Sequence, residues 1–93
     1  MATFEWDGSK ARGNRIAHGV AFEEAVSAFA DPLGRIVDDP RHSREESRYA
    51  LVAQSERGRV LVIMFTERDE RIRVISARRA TSTERRQYEE ASR

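Results

Sequence analysis

The longest apolar run of the chain, Val60–Phe65, lies late in the sequence. It does not alternate between apolar and polar positions and is rich in β-branched residues, which predicts a strand buried on both faces. A polar connection that contains Asp69 and Glu70 comes next. The following segment, Arg71–Ser76, opens with the alternation that is typical of a strand with one solvent-facing side. The two segments predict a β-hairpin with its tip at Asp69 and Glu70.

Shorter patterns near the N-terminus predict a strand and a helix. Thr3–Trp6 places its two aromatic side chains on one face, as a strand does. Asp7 is a favourable N-cap for a helix that runs to His18, and Gly19 is a suitable residue just beyond its end. This helix has little apolar surface, so we expect it to depend on contacts with the rest of the protein.

A second helix is predicted at Phe22–Ala30. Four apolar side chains fall on one face of it, at i, i+3, i+4 and i+7: Phe22, Ala25, Val26 and Phe29. Ala21 takes the N-cap position, so the acidic half of a capping box is present in Glu24 while the hydroxyl half is missing. The residue before a proline avoids the helical region, so Asp31-Pro32 should stop this helix.

The remaining segments complete the predicted order of elements. We predict an edge strand, a polar loop, a strand and a turn, at Leu33–Val37, Asp38–Glu46, Ser47–Ala53 and Gln54–Gly58 respectively. Thr81 and Glu84 have the spacing of a capping box and open a short C-terminal helix. The order β-α-α-β-β-β-β-α predicts one α+β domain over residues 1–93, with an antiparallel sheet because short loops join consecutive strands. The two N-terminal helices should pack on one face of that sheet.

Charge is distributed unevenly along the 93 residues, although the net charge is only +1. Residues 1–56 carry seven basic and ten acidic side chains, whereas residues 57–93 carry ten basic and six acidic ones. Only the second half is therefore suited to a polyanionic partner. Lys10 is the only lysine among 17 basic residues, an arginine excess that a genome rich in G and C accounts for and that by itself does not indicate phosphate binding.

Composition also excludes several kinds of site. The chain has no cysteine, which excludes disulfides, a thiol nucleophile and cysteine-based zinc sites. No apolar run reaches the length of a membrane span or of a signal-peptide core, so we expect a soluble, cytoplasmic protein.

Fixed guanidinium groups suit bidentate binding of phosphate. The predicted hairpin ties five of them to a rigid part of the fold: Arg68, Arg71, Arg73, Arg78 and Arg79.

Several segments together form a recognisable set, namely Phe4–Asp7 with Lys10 and Asn14, then His18–Ala25, Thr66–Arg68, Arg71–Ala80 and the tail Glu84-Arg85-Arg86-x-Tyr88. These segments resemble the BrnT family of bacterial toxins. Each segment is weak evidence alone, but their ordered combination covers nearly the whole chain. Two positions depart from the family, because Ala17 stands where a lysine is usual and Ala21 where a serine is usual.

The resemblance implies a RelE-like ribonuclease toxin that halts translation by cutting RNA, which is either free or associated with the ribosome. It also implies a cognate BrnA-type antitoxin, and we expect a heterotetramer with a dimeric antitoxin. Neither a cofactor nor a membrane partner is expected. If the lysine that Ala17 replaces carries catalytic charge in the family, Arg15 could substitute for it.

Cleavage of RNA without a metal ion needs a base for the 2′-hydroxyl, cations for the charge on phosphorus and an acid for the leaving 5′-oxygen. Glu67 follows the buried strand and is the candidate base; the alternative is a surface carboxylate in an ion pair. Arg68 and Arg78 are candidate phosphate ligands, since strand ends of a hairpin can lie side by side; the alternative is a salt bridge for each. Lys10 and His18 complete the catalytic candidates, and His18 could instead only close its helix.

Four further residues are candidates for RNA binding. Arg71 and Arg73 share the solvent-facing side of their strand and could serve RNA or the antitoxin. Arg79 has the opposite parity to Arg78, so these two should not face one site. Tyr88 is either the anchor of the last helix or a ring on which a base stacks.

Two functions without catalysis also fit the sequence. One is a nucleic-acid-binding module that leaves RNA intact, although the chain lacks a basic amphipathic recognition helix. The other is a protein-interaction domain for an acidic partner.

His42 lies in the polar loop, where we expect it only to be solvated. An antitoxin should cover either the face of Arg71 and Arg73 or the site of Arg68 and Arg78.

Overall fold

The computed structural model describes residues 2–38 and 48–91. Five strands and three helices lie in these residues, in the order β1 (Thr3–Glu5), α1 (Gly8–His18), α2 (Phe22–Ala28), β2 (Arg35–Asp38), β3 (Arg48–Gln54), β4 (Val60–Arg68), β5 (Arg71–Arg79) and α3 (Ser82–Ala91). The polar loop predicted to run to Glu46, with His42, lies outside the described residues after Asp38. None of the described helices is both long enough and apolar enough to cross a membrane.

The strands form a sheet in the order β1-β5-β4-β3-β2. Consecutive strands from β2 to β5 pair antiparallel, as their short connections require. β1 instead pairs with β5 in parallel, through Thr3–Glu5 and Arg71–Arg73. These two strands are far apart in the sequence, so no hairpin constrains their relative direction. The predicted α+β fold is confirmed, and its sheet contains this one parallel pair among the described strands.

The hairpin strands are longer than predicted, because β4 continues past Phe65 to Arg68 and β5 continues past Ser76 to Arg79. Their backbone hydrogen bonds do not depend on which side chains alternate between the faces. Asp69 and Glu70 form the tip as predicted, with positive φ angles of 48° and 65°. α2 ends at Ala28, two residues earlier than predicted, because the next three amides bond to carbonyls only three residues back.

The core lies between the sheet and the helices α1 and α2, on what we call the inner face. The ring of Phe29, the residue that follows α2, packs edge-on against Phe4 and Phe65, with centroids 5.0 and 5.1 Å apart, so the end of α2 is held against β1 and β4. The predicted apolar stripe of α2 is therefore confirmed as its core-facing side. α3 packs against β3 on the opposite, outer face. The buried members of the core are Val20, Phe22, Ala25, Ala28, Leu51, Ala53, Leu61, Ile63, Phe65, Val74 and Ala77.

Asn14 fastens α1 to the open edge of β5. β1 covers this edge only along Arg71–Arg73, and farther along the strand the Asn14 amide bonds to the backbone of Ala77. Asn14 Nδ2 donates to Ala77 O at 2.8 Å and to Val20 O at 2.9 Å, while Asn14 Oδ1 accepts from Ala77 N at 3.0 Å. The side chain is buried, so these bonds satisfy backbone groups that have little access to water. This polar bridge holds a helix that has little apolar surface of its own.

We expect Asn14→Ala to destabilise the protein by about 3 kcal/mol, because the amide and carbonyl of Ala77 lose their partner at a buried position. Urea and thermal unfolding measure this loss. Arg15→Ala, at the exposed neighbouring position of α1, is the control and should change the free energy of unfolding by less than about 0.5 kcal/mol. Equally small effects of the two substitutions would show that the bridge does not hold α1.

Candidate active site

A β-bulge in β5 decides to which side the hairpin arginines point. The register with β4 shifts by one residue at Ile75, which pairs with no residue of β4. Side chains alternate along a strand, so one extra residue reverses the phase of every residue beyond it. Arg73 pairs with Thr66 and Arg78 pairs with Val62, and these two positions of β4 share the outer face. Arg73 and Arg78 therefore lie on one face although they are an odd number of residues apart.

The catalytic candidates on the hairpin do not form one site. Arg68 lies opposite Arg71 beside the tip, whereas Arg78 pairs with Val62, six residues farther back along β4. Six residues of strand span roughly 20 Å. The expectation that Arg68 and Arg78 lie side by side is therefore wrong, because a hairpin brings together only residues at equal distances from its tip. Glu67 also lies at the tip end, so it does not share a site with Arg78.

Acidic partners compensate three arginines of the outer face. Arg73 donates to Glu5 at 2.9 Å, and Arg71 lies 3.5 Å from the same carboxylate. Arg78 binds Glu84 through two hydrogen bonds of 2.7 and 3.0 Å. Its guanidinium, more than any other group, lowers the pKa of Glu84 to about 2. The salt bridge that was the alternative for Arg78 is confirmed, so these arginines are not a ready cluster of unpaired phosphate ligands.

Glu84 and Tyr88 anchor α3. The Glu84 amide donates to Thr81 Oγ1 at 3.1 Å and the Glu84 carboxylate accepts from Thr81 N at 2.9 Å, which confirms the predicted capping box. The Tyr88 ring is 6% exposed, and its hydroxyl donates to Asp31. Burial, followed by this bond, raises the pKa of Tyr88 to about 12. The anchor interpretation of Tyr88 is confirmed, and a residue that is so deeply buried offers little surface on which a base could stack.

The two candidates on α1 lie at its opposite ends. The Lys10 amide donates to Asp7 Oδ1 at 3.0 Å in the first turn, whereas His18 is the last helical residue. Eight residues of helix span roughly 12 Å, so the fold does not bring Lys10 and His18 together. The predicted ends of the helix are confirmed, because Asp7 caps the N-terminus and Gly19, with a φ of 67°, caps the C-terminus.

Three arginines from different elements meet at the end of the hairpin that lies away from its tip. The strand ends are held there by a hydrogen bond of 2.9 Å from Ala80 N to Val60 O, and α3 begins at Ser82. Arg79 lies on the other face from Arg78, as predicted, and its side chain makes no hydrogen bond or ion pair with the described residues. We call the cavity here, of about 100 Å³, the arginine pocket. It is lined by Arg59, Arg79 and Arg85 with Gly58, Val60 and Ala80.

A buried carboxylate holds Arg59 in this pocket. Glu24, which is 4% exposed, accepts from Arg59 Nε at 2.9 Å, from Arg59 Nη2 and from Ser55 Oγ at 2.7 Å. These donors, Arg59 first among them, keep the pKa of Glu24 below its ordinary value, so the carboxylate is ionised. Arg59 Nη2 also donates to Gly19 O at 3.2 Å. Because His18 precedes Gly19, the end of α1 lies beside the arginine pocket.

Of the arginines that line this pocket, the sequence indicated Arg79 but not Arg59 and Arg85. Arg59 stands just before the apolar run and Arg85 inside the last helix, where a charged residue is ordinary. Only the pairing of β4 with β5 and the immediate turn into α3 bring them together. The position of Arg59 in the sequence could have identified it. In a hairpin, the residue that precedes the first strand lies near the residue that ends the second strand.

The pocket is chemically suited to an anion. One guanidinium group can bind phosphate through two parallel hydrogen bonds. The one acidic contact of Arg85, with Glu89 at 3.8 Å, joins two exposed side chains and is weak. Within residues 2–38 and 48–91, no group of three or more His, Asp or Glu side chains could hold a metal ion. The fold and the pocket define a small α+β protein with a cationic site of a size and charge for a phosphate group.

Comparison with known proteins assigns this protein to a family. A family model described as the ribonuclease toxin, BrnT, of type II toxin–antitoxin systems matches residues 6–84. The chain therefore belongs to the BrnT family of ribonuclease toxins, as the sequence motifs indicated. Its fold is similar to the crystal structure of the Brucella abortus ribonuclease toxin BrnT, with a TM-score of 0.60 and 20% identity over 88% of this chain and 100% of that chain. A search of curated proteins gave no match.

We expect the bond between Arg78 and Glu84 to make the free energy of unfolding depend on pH. The pKa of Glu84 is about 2 in the folded protein and 4.5 as a free side chain, so its contribution is present above about pH 4.5 and is lost as the pH falls toward 2. Glu84→Gln should therefore be clearly less stable than the wild type at pH 6, and this difference should shrink by pH 2.5. Urea unfolding at the two pH values measures it.

The control for this experiment is Glu90→Gln, which neutralises an exposed carboxylate of the same helix without a partner in the described residues. It should change stability little at either pH. A loss in Glu84→Gln that stays the same at pH 2.5 and pH 6 would contradict the assignment.

Proposed function

We propose that this protein is a RelE-like endoribonuclease toxin that cuts RNA without a metal ion, and that it blocks translation in the cytoplasm. The observation that carries the proposal is the arginine pocket, in which Arg79 and Arg85 lie with Arg59 around one cavity. Attack of a ribose 2′-oxygen on phosphorus adds negative charge to the phosphoryl oxygens. Fixed cations stabilise that charge, and they do so most strongly in a site with little water.

In the proposed reaction Arg79 and Arg85 bind the non-bridging oxygens of the scissile phosphate. His18 takes the proton of the 2′-hydroxyl as the 2′-oxygen bonds to phosphorus. The bond from phosphorus to the 5′-oxygen then breaks, and the imidazolium or a water molecule protonates that oxygen. The products are a 2′,3′-cyclic phosphate and a 5′-hydroxyl. His18 replaces Glu67 as the proposed base because Glu67 lies at the far, tip end of the hairpin.

The remaining cationic candidates are proposed to contact the RNA backbone away from the cleaved bond. Arg71 has 62% of its side chain exposed, and its contact with Glu5 is long, so a phosphate could displace the carboxylate. Arg73 and Arg68 lie on the same outer face of the hairpin. Lys10 is exposed at the start of α1. Such contacts add affinity that depends on salt and carry no sequence preference.

A BrnA-type antitoxin is the proposed partner, in a heterotetramer built on an antitoxin dimer. Membership of a family of toxins from type II toxin–antitoxin systems supports a protein antitoxin. The charge of the pocket indicates its chemistry, since an acidic segment of the partner would compete with RNA for Arg79 and Arg85. We therefore place the antitoxin over the arginine pocket rather than over Arg68 and Arg78, which lie far apart.

We expect the purified protein to cut RNA in the presence of EDTA, and Arg79→Ala or Arg85→Ala to lower the rate by about 10²-fold, because each removes a cation from the transition state. Gel analysis of a synthetic RNA measures the rate and identifies the 2′,3′-cyclic phosphate. Arg86→Ala removes the neighbouring, exposed arginine of α3 and should cut RNA at the wild-type rate.

Two results would each contradict one part of this proposal, the role of the pocket or the cleavage of RNA. Cleavage that survives the loss of both Arg79 and Arg85 would remove the pocket from the reaction. RNA that stays intact through long incubation, yet binds in a salt-sensitive way, would favour the non-catalytic nucleic-acid-binding module.

A further inference from the structure

The guanidinium of Arg59 uses only part of its hydrogen-bonding capacity inside the protein. Arg59 Nε donates to Glu24 Oε2 at 2.9 Å, and Arg59 Nη2 donates to Glu24 Oε1 and to Gly19 O, the latter at 3.2 Å. An arginine has five N–H donors, so these bonds account for three of them. The two donors on Nη1 have no hydrogen bond to residues 2–38 or 48–91. Arg59 is 21% exposed and lines the arginine pocket, so this is the pair that remains for a ligand there.

The carboxylate of Glu24 is itself held in place. It lies on α2, is almost fully buried and, besides the two bonds from Arg59, accepts a third hydrogen bond from Ser55 Oγ at 2.7 Å. Ser55 Oγ also accepts from the Arg57 and Arg59 amides, at 3.2 and 3.4 Å. The carboxylate is therefore fixed by the helix on one side and by the turn between β3 and β4 on the other. Because Arg59 is bound to this carboxylate through both Nε and Nη2, the plane of its guanidinium is held in one orientation.

The geometry of this pair matters more than its net contribution to stability. Removing two charges from water costs free energy that their attraction only partly offsets, so a buried ion pair adds little to folding. A planar guanidinium bound along one edge, however, presents its remaining nitrogen in a fixed direction. Two Arg59 nitrogens bind the carboxylate of Glu24, so its negative charge is partly compensated when an anionic ligand enters the pocket.

We propose that Glu24 is a positioning residue for RNA cleavage, which holds Arg59 so that the Nη1 donors bind an oxygen of the phosphate in the arginine pocket. Arg59 is thereby a third phosphate ligand beside Arg79 and Arg85. This inference rests on the function proposed above. Lysine cannot replace Arg59, because its single ammonium nitrogen cannot bind both Glu24 and a phosphate in fixed directions.

The test follows the arginine side-chain resonances of the full-length protein by NMR while inorganic phosphate is added. The resonances of Arg59 and Arg79 should shift with one saturation curve, whereas that of Arg86, the exposed control arginine of α3, should stay unchanged. In Glu24→Gln the Arg59 shift should disappear or need roughly tenfold more phosphate, because the neutral amide no longer fixes the guanidinium. A purely structural role of Glu24 would alter thermal stability but not this response.

A second variant keeps the inference testable if Glu24→Gln does not fold. Arg59→Lys retains the charge and should lower kcat for RNA cleavage about tenfold or more while the protein stays folded at low temperature. Arg57→Lys is the matched control, since Arg57 is 66% exposed and lies 3.8 Å from the same carboxylate. It should cut RNA at the wild-type rate.

The outcomes separate this inference from the proposed function. If phosphate shifts Arg79 and Arg85 but not Arg59, or if Arg59→Lys is fully active, the positioning role is overturned and the ribonuclease assignment stands. If phosphate shifts none of the three arginines and their substitutions leave cleavage intact, the pocket is not the active site, and both the positioning role and the proposed reaction in this pocket fail.

Discussion

The register between β4 and β5 is the constraint on which the placement of charge in this protein depends. Both strands belong to the middle of the sheet, and their inner-face side chains form the core. The single extra residue at Ile75 reverses the alternation partway along β5. Without it, Ala77 would leave the core and Arg78 would turn into it. The bulge thus keeps a continuous apolar inner face while it sends Arg78 to the outer face and Arg79 to the arginine pocket.

The arginines of this protein differ in how fully acidic side chains compensate their charge. On the outer face Glu84 accepts hydrogen bonds from both terminal nitrogens of Arg78, so this guanidinium serves mainly to dock α3. In the arginine pocket Glu24 binds only one edge of Arg59, and Arg79 has no acidic partner among the described residues. Positive charge therefore remains in surplus at one end of the hairpin. A surplus of this kind attracts an anion and stabilises charge that develops during its reaction.

Polar bridges attach the helices to the sheet in addition to the apolar contacts. Asn14 bonds α1 to the edge of β5, and Glu24 bonds α2 to the turn that leads into β4. Buried polar groups of this type are costly unless every donor and acceptor is satisfied, so they permit few alternative arrangements. One of them, through Arg59, reaches the arginine pocket. Stability and the geometry of the pocket are coupled there, and the fold itself persists in a family member with only 20% identity.

Local patterns determined much of this protein. The apolar run at Val60–Phe65, the stripe of α2 and the capping pairs at both ends of the chain predicted the elements and the α+β class, because each depends on residues close together in sequence. The motifs also indicated the BrnT family. Tertiary structure alone decided the parallel pairing of β1, the bulge at Ile75 and the partners of each arginine. These depend on which backbone groups pair across the sheet, so a one-residue shift that no local pattern records decided which of Arg78 and Arg79 takes the outer face and which the arginine pocket.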